Sequence, residues 1–254
     1  MNRKVLIIGS RLSEGKRTFY NGVTNDVNRY IPLFTSATGG AYYNEEAFYC
    51  FNPTVAILKD FFAKNPTDFT TIVFSGHGYI DRTNNRDMLW LNEKQIISLI
   101  QLIKMCQSPK KLIILDKCSK ITPSYFNLTG FGDVLTENFD GHIDFDKARR
   151  IFNNAILKSK PGVQVISSCS PNQLSYLDAS GSHFSKSLVT SISKWADKIE
   201  PYSVLLGTGA LNLSKKEMRV YRNNQLPIQL RSDEEVNFPI GIRLGTELIQ
   251  SYLY

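Results

Sequence analysis

The chain has 254 residues, of which 42% are hydrophobic and 21% charged; this supports a full hydrophobic core and excludes both wholesale disorder and a small scaffold stapled by disulfides or metals. Its 30 Lys and Arg against 23 Asp and Glu give a formal charge of +7, but the charges are spread along the sequence, which describes a mildly basic surface and does not point to a nucleic-acid partner. No apolar run is long enough for a secretory signal or a membrane span, so a soluble, cytoplasmic, single-domain protein spanning 1–254 is expected.

In chain order, Val5 to Ile8 is a short apolar run ending at Gly9-Ser10 and reads as a buried strand. Val23, Val27, Tyr30, Ile31 and Phe34 follow at helical spacing. Asn52 is positioned to cap a second helix with Pro53 in its first turn and Val55, Ile57, Leu58, Phe61 and Phe62 on its apolar face. Thr70 to Phe74 is a second core strand. Asn92 is expected to begin a third helix through Ile96, Ile97, Leu99, Ile100, Leu102 and Ile103, stopped by Pro109. Lys111 to Leu115 and Val163 to Ile166 read as further strands, and Phe184 to Trp195 as a helix. Between them, 119–160 is a long excursion with one helical candidate near Phe145 to Leu157. After Pro201 the pattern is weak. Strands alternating with helices imply an α/β fold, a mostly parallel sheet with helices on both faces. In such sheets chemistry collects beyond the carboxyl ends of the strands.

Those ends hold Ser75-Gly76-His77-Gly78 and Asp116-Lys117-Cys118. His77 follows one core strand and Cys118 follows the next, with one helix between, so both side chains can project from the same edge. A cysteine nucleophile needs an imidazole to favour its thiolate, and attack on an amide needs N–H donors for the oxyanion. The backbone N–H groups of Gly78 and Cys118 are the natural donors. The four cysteines, Cys50, Cys106, Cys118 and Cys169, have no C-x-x-C spacing and the histidines are scattered, so no metal site is expected.

With these residues in place, the chain resembles the caspase–metacaspase superfamily of cysteine peptidases over roughly residues 3 to 195. KVLIIGS followed by GVTNDV is similar to the family's opening strand and Gly-x-x-Asn-Asp segment. TIVFSGHG resembles the strand and turn that carry its histidine, LIILDKCS those that carry its cysteine, and VQVISSCSPNQLSYLDASGSHFSKSL the later strand, specificity loop and helix. The resemblance implies a caspase-like three-layer sandwich and a catalytic dyad of His77 and Cys118. It also implies an oxyanion hole of Gly78 and Cys118, peptide-bond hydrolysis through a thioester, and neither metal nor organic cofactor. Ser119-Lys120 departs from the His-Ser-Gly or Arg-Gly that often follows the family's cysteine. A caspase-like scaffold that does not cleave is the alternative reading, and a nucleotide-binding domain has no glycine-rich loop in its favour.

The residue two before the cysteine lines the primary specificity pocket in this family, and here it is Asp116. A buried carboxylate suits a cationic side chain, so cleavage after Arg or Lys is expected, with Asp178 as a second substrate-binding carboxylate. The excursion holds Arg149-Arg150, Lys158 and Lys160, where an enzyme that prefers basic residues could cut itself, and Arg149-Arg150 equally fits the polar face of a helix. Cys50 and Cys106 read as core, Cys169 as a cleft-lining cysteine that is not the nucleophile, and His142 and His183 as surface residues; the sequence leaves open whether Gln173 touches substrate. Regulation falls to an activating partner, an operon neighbour or self-processing. Stand-alone microbial proteins of this kind resemble protease effectors of defence or cell-death systems.

Overall fold

The structure is a computed structural model and describes residues 1–12, 17–81, 83–117, 145–198, 200–221, 223–232 and 236–243. Its centre is a six-stranded sheet built from β1 (Arg3–Gly9), β2 (Ala47–Phe51), β3 (Phe69–Gly76), β7 (Lys110–Lys117), β8 (Gly162–Ser167) and β12 (Ile228–Ser232), in the order β12-β8-β7-β3-β1-β2. All neighbours are parallel except β12, which runs antiparallel to β8 at one edge.

The four inner strands are buried on both faces, and alternation divides their side chains between two cores. Val5, Ile7, Val73, Leu112 and Ile114 face α1 (Arg17–Thr35), α4 (Phe145–Lys158), α5 (His183–Ala196) and α6 (Gly207–Glu217), meeting Val27, Tyr30, Phe152, Phe184 and Leu188. Leu6, Ile8, Ile72, Phe74, Ile113 and Leu115 face α2 (Val55–Lys64) and α3 (Leu99–Met105), meeting Leu58, Phe62 and Leu102. The result is the expected three-layer α/β sandwich. Each fully buried leucine or phenylalanine contributes about 1.5–3 kcal/mol, and Phe74→Ala, at the heart of the second core, costs about 3–5 kcal/mol.

Three small sheets surround this frame. The antiparallel strands β4 (Gly78–Asp81), β5 (Arg86–Asn92) and β6 (Gln95–Ser98) follow β3 directly. The pair β9 (Leu177–Asp178) and β10 (Gly181–Ser182) precedes α5, and β11 (Ser203–Leu206) pairs with β13 (Pro239–Arg243).

Two helix starts differ from expectation. Asn92 closes β5 instead of opening a helix: its Oδ1 accepts the Lys94 N–H at 2.9 Å, an Asx turn that reverses the chain into β6. The helix begins at Leu99, where the Ser98 hydroxyl accepts the Gln101 N–H at 3.2 Å and Gln101 Oε1 accepts the Ser98 N–H at 2.7 Å, a capping box. Asn52 has φ of 49° and binds the Arg11 backbone, while Thr54 caps α2 through the Ile57 N–H at 3.2 Å. The helical candidate in the excursion is α4; residues 118–144 lie outside the described residues. Among the described residues no helix is long and apolar enough to cross a membrane.

Candidate active site

The strand ends meet as the motif spacing requires. β3 and β7 are parallel neighbours paired Ser75↔Asp116 and Gly76↔Lys117. The next residue along β3 is His77 and the next along β7 is Cys118, which lies outside the described residues. The His77 carbonyl accepts the Trp90 N–H at 3.0 Å, which ties the turn to β5. Its half-buried ring lies against Phe19, centroids 3.9 Å apart and planes within 7°. Burial pushes the imidazole pKa down to about 4, so His77 is neutral and able to accept a proton at neutral pH.

Gly78 opens β4 where no side chain fits. A Cβ there would stand 2.5 Å from Lys117 Cδ and 2.7 Å from the Met88 carbonyl oxygen.

Asp116 points to the other face of the sheet, toward α1 and α5, and is 4% exposed. Its Oδ1 accepts the Ser175 hydroxyl at 3.2 Å and its Oδ2 accepts the Ser182 hydroxyl. A second carboxylate, Asp26 of α1, is fully buried beside it. Asp26 accepts the Ser182 N–H at 2.8 Å, the Ser75 hydroxyl at 2.8 Å and the Ser185 hydroxyl, and pairs with Arg29 at 3.1 Å. Ser182 therefore bridges the two acids, giving its N–H to one and its O–H to the other. Burial and the Asp26 charge push Asp116 up to about 7, and burial raises Asp26 despite its donors and Arg29. Near neutral pH the two acids together hold fewer than two negative charges.

The β9–β10 hairpin covers this pair. Gly181, at φ of 117°, lies so near Asp26 that a Cβ would come within 2.5 Å of its Oδ1. The Arg29 guanidinium donates to the Ser180 carbonyl at 2.7 Å, and Asn25 Nδ2 donates to the Ala179 carbonyl at 2.7 Å. Asp178, on the same hairpin, is engaged by Lys186 at 2.8 Å and by the Ser180 N–H at 2.8 Å. Burial opposes its charge, but hydrogen bonds from His183, Lys186 and Ser180 prevail and hold its carboxyl well below the usual range. Asp116 and Asp178 thus keep separate partners.

His183 is half-buried, not a plain surface residue. Its ring stacks on Tyr221 at 3.9 Å and its Nδ1 meets Asn223 Nδ2 at 2.8 Å. His142 lies outside the described residues. Cys106 is buried and Cys50 is partly buried, its thiol pushed by burial up to about 11. Cys169 is fully buried and gives its S–H to the Lys117 carbonyl at 3.3 Å, below the cleft surface. Gln173 Oε1 accepts the Ser170 and Leu226 N–H groups at 3.3 and 3.0 Å. Arg149 and Arg150 sit in the middle of α4, and Arg149 forks onto Glu46 with both contacts at 2.6 Å. Among the described residues no group of three or more His, Cys, Asp or Glu is placed to hold a metal ion.

The carboxylate that sequence reasoning did not single out is Asp26. Its signal was the GVTNDV segment itself, whose second acidic-amide position faces the sheet from α1.

A family model for the caspase domain (peptidase C14) matches residues 2–234. Caspase-1 from Spodoptera frugiperda has a similar fold, with a TM-score of 0.57 at 13% identity over 92% of this chain and 88% of that one. No curated protein matches the chain in sequence.

Proposed function

We propose that this chain, which belongs to the caspase-domain family of peptidases, is a cysteine endopeptidase that cleaves protein substrates after Arg or Lys. The observation that carries the reading is the register of β3 and β7, whose paired ends Gly76 and Lys117 are followed by His77 and Cys118. His77 takes the Cys118 thiol proton, and the thiolate adds to the scissile carbonyl. The N–H groups of Gly78 and Cys118 receive the oxyanion. Its collapse expels the amine, which takes the proton back from His77, and water then hydrolyses the thioester. The neutral imidazole supports this role, because a protonated one has no lone pair to offer.

Asp116 with Asp26 forms the base of the pocket before the cut. A guanidinium or ammonium supplies the charge that lets both acids ionise, whereas an acidic side chain adds a third carboxyl to a pair that already resists full ionisation. Asp178, partly exposed on the covering hairpin, stands at the rim for a further cationic group. An effector role in a defence or cell-death system, switched on by a partner, goes with this reading through the family resemblance.

One observation favours the non-cleaving scaffold: both pocket carboxylates lie beneath the β9–β10 hairpin, so that hairpin has to move before a side chain reaches them. Fluorogenic peptides with Arg, Lys, Asp or Leu before the cut, given to the wild type and to Cys118→Ala, decide between the readings. Turnover of the basic peptides that disappears in the variant is expected. A wild type inert toward all of them favours the scaffold, and faster cleavage of the Asp peptide overturns the pocket assignment.

A further inference from the structure

Lysine is among the residues least often buried, yet the Lys117 side chain is 0% exposed. Alternation along β7 turns Asp116 to one face of the sheet and Lys117 to the other, beneath the β4–β5 hairpin. There the Lys117 ammonium is 2.7 Å from the carboxylate of Asp87, whose side chain is 19% exposed. Between backbone and ammonium, the aliphatic stem passes under Gly78, where its Cδ and Cβ would stand 2.5 and 3.2 Å from a Cβ at that position.

The same residue is also held through its backbone. Its N–H donates to Ser168 Oγ at 3.2 Å, and its carbonyl accepts the Ser168 hydroxyl at 3.0 Å and the Cys169 thiol at 3.3 Å. Asp87 in turn sits opposite Ile80 on β4, two pairs along from Gly78↔Leu89. One side chain therefore joins the end of β7, the underside of Gly78 and the strand that pairs with Gly78.

A buried ion pair rarely stabilises a fold more than an apolar pair of the same volume, because desolvation offsets the attraction. Here neither Lys117 Nζ nor Asp87 Oδ1 has a hydrogen-bond partner among the described residues, so charge alone holds the two groups at 2.7 Å and fixes their separation. An oxyanion donor needs that kind of control, since it acts only when its N–H is preset where negative charge develops. We infer that Lys117 and Asp87 are positioning residues whose ion pair sets the Gly78 N–H relative to the carboxyl end of β7. The inference rests on the peptidase reading above.

The test compares turnover with simple alkylation. Alkylation of Cys118 by iodoacetamide, followed by mass spectrometry, needs a reactive thiol but builds no oxyanion. Lys117→Met keeps the length of the stem under Gly78 and removes the charge; Asp87→Asn keeps the size and removes the charge from the other side. The double variant Lys117→Met/Asp87→Leu replaces the ion pair by an apolar one and is expected to melt near the wild type. In all three, kcat is expected to fall about tenfold to a hundredfold, while KM and the Cys118 alkylation rate stay within about twofold of wild type.

A folded variant with wild-type kcat overturns the inference. So does a parallel fall of kcat and alkylation rate, which reports general disruption. A double variant that fails to fold makes the pair structural and also overturns it. A wild type that is alkylated at Cys118 but cleaves no peptide removes the peptidase reading, and the positioning role with it.

Discussion

Phe19 of α1 and His77 at the end of β3 lie face to face, ring centroids 3.9 Å apart. The phenyl ring shields one face of the imidazole from water, and burial holds its pKa near 4. Phe19→Ala rehydrates that face. The acidic limb of the kcat/KM profile should therefore move up from about 4 toward the ordinary histidine value of about 6.5. An unmoved limb would mean that other walls of the site dry the imidazole. Folding stability follows the same linkage. Between about 6.5 and about 4 the unfolded chain binds a proton at this residue that the folded one refuses. Stability from this group is thus fully present above that window and falls as pH drops through it, and Phe19→Ala flattens the fall. Urea denaturation at several pH values checks both.

The Asp116 and Asp26 pair titrates in the opposite sense. With Asp116 raised to about 7, the folded protein keeps a proton that the unfolded chain releases near 4. This group's contribution to stability is greatest below about 4 and declines as pH rises through about 7. A cation that enters the pocket displaces that proton, so benzamidine should raise the melting temperature more at pH 8 than at pH 6. An equal shift at both pH values would separate the cation site from these acids. Asp116→Asn should lower kcat/KM for an Arg peptide by about 30-fold or more, the equivalent of losing about 2 kcal/mol or more from a buried charge contact.

Ser182 serves two ends of the same network. Its hydroxyl donates to Asp116 and accepts the Ser185 N–H at 2.8 Å as the N-cap of α5. Ser182→Ala should cost about 1–2 kcal/mol for the lost cap and push the Asp116 carboxyl further up. Denaturation for the first and the pH dependence of KM for the second read these separately.

Gly78→Ala places a methyl group against Lys117 and the Met88 carbonyl. A loss of about 1–3 kcal/mol in stability is expected from the overpacking, together with a fall in kcat as the β4 N–H is displaced. Lys117→Met adds flexibility beneath the new methyl group and should recover part of the stability without recovering kcat.

Self-processing at Arg149-Arg150 is not expected from the folded chain. The bond lies inside α4, and a protease cleft accepts extended backbone, so the helix would have to open against the Arg149–Glu46 fork. Intact-mass measurement of active enzyme after prolonged incubation should show no fragment ending at residue 149 or 150.

How much of this was legible in the sequence follows from burial. β1, β3, β7 and β8 are covered on both faces and so read as continuous apolar runs, and their ends delivered His77, Gly78 and Asp116. β2 is an edge strand with Tyr49 exposed; Ala47–Phe51 is hydrophobic throughout, yet no strand was expected there. The run Ile96 to Ile103 reads as one helix because a short buried strand and a buried helix share one hydropathy signature; the capping box at Ser98 divides it into β6 and α3. Asp26 had only the GVTNDV segment to mark it, and Lys117 gave no local sign of its role. The partners of Asp26 come from β3, β10 and α5, and the partner of Lys117 from β5, so the network exists only once the sheet is assembled. Beyond Pro201, β11, α6 and β13 are short elements whose apolar residues fill gaps in a core that other segments define.

The pairing of β7 with β8 has a practical consequence for engineering. Residues 118–144 and α4 separate these strands in sequence, yet they are hydrogen-bonded neighbours from Lys110↔Gly162 to Leu115↔Ser167. A chain divided within 118–144 is therefore expected to reassemble from two polypeptides, each bringing its own strands to a common sheet. Such halves would work as a split reporter: they carry β7, the strand that leads to Cys118, and its neighbour β8 on separate molecules, and are expected to regain a shared core only when brought together.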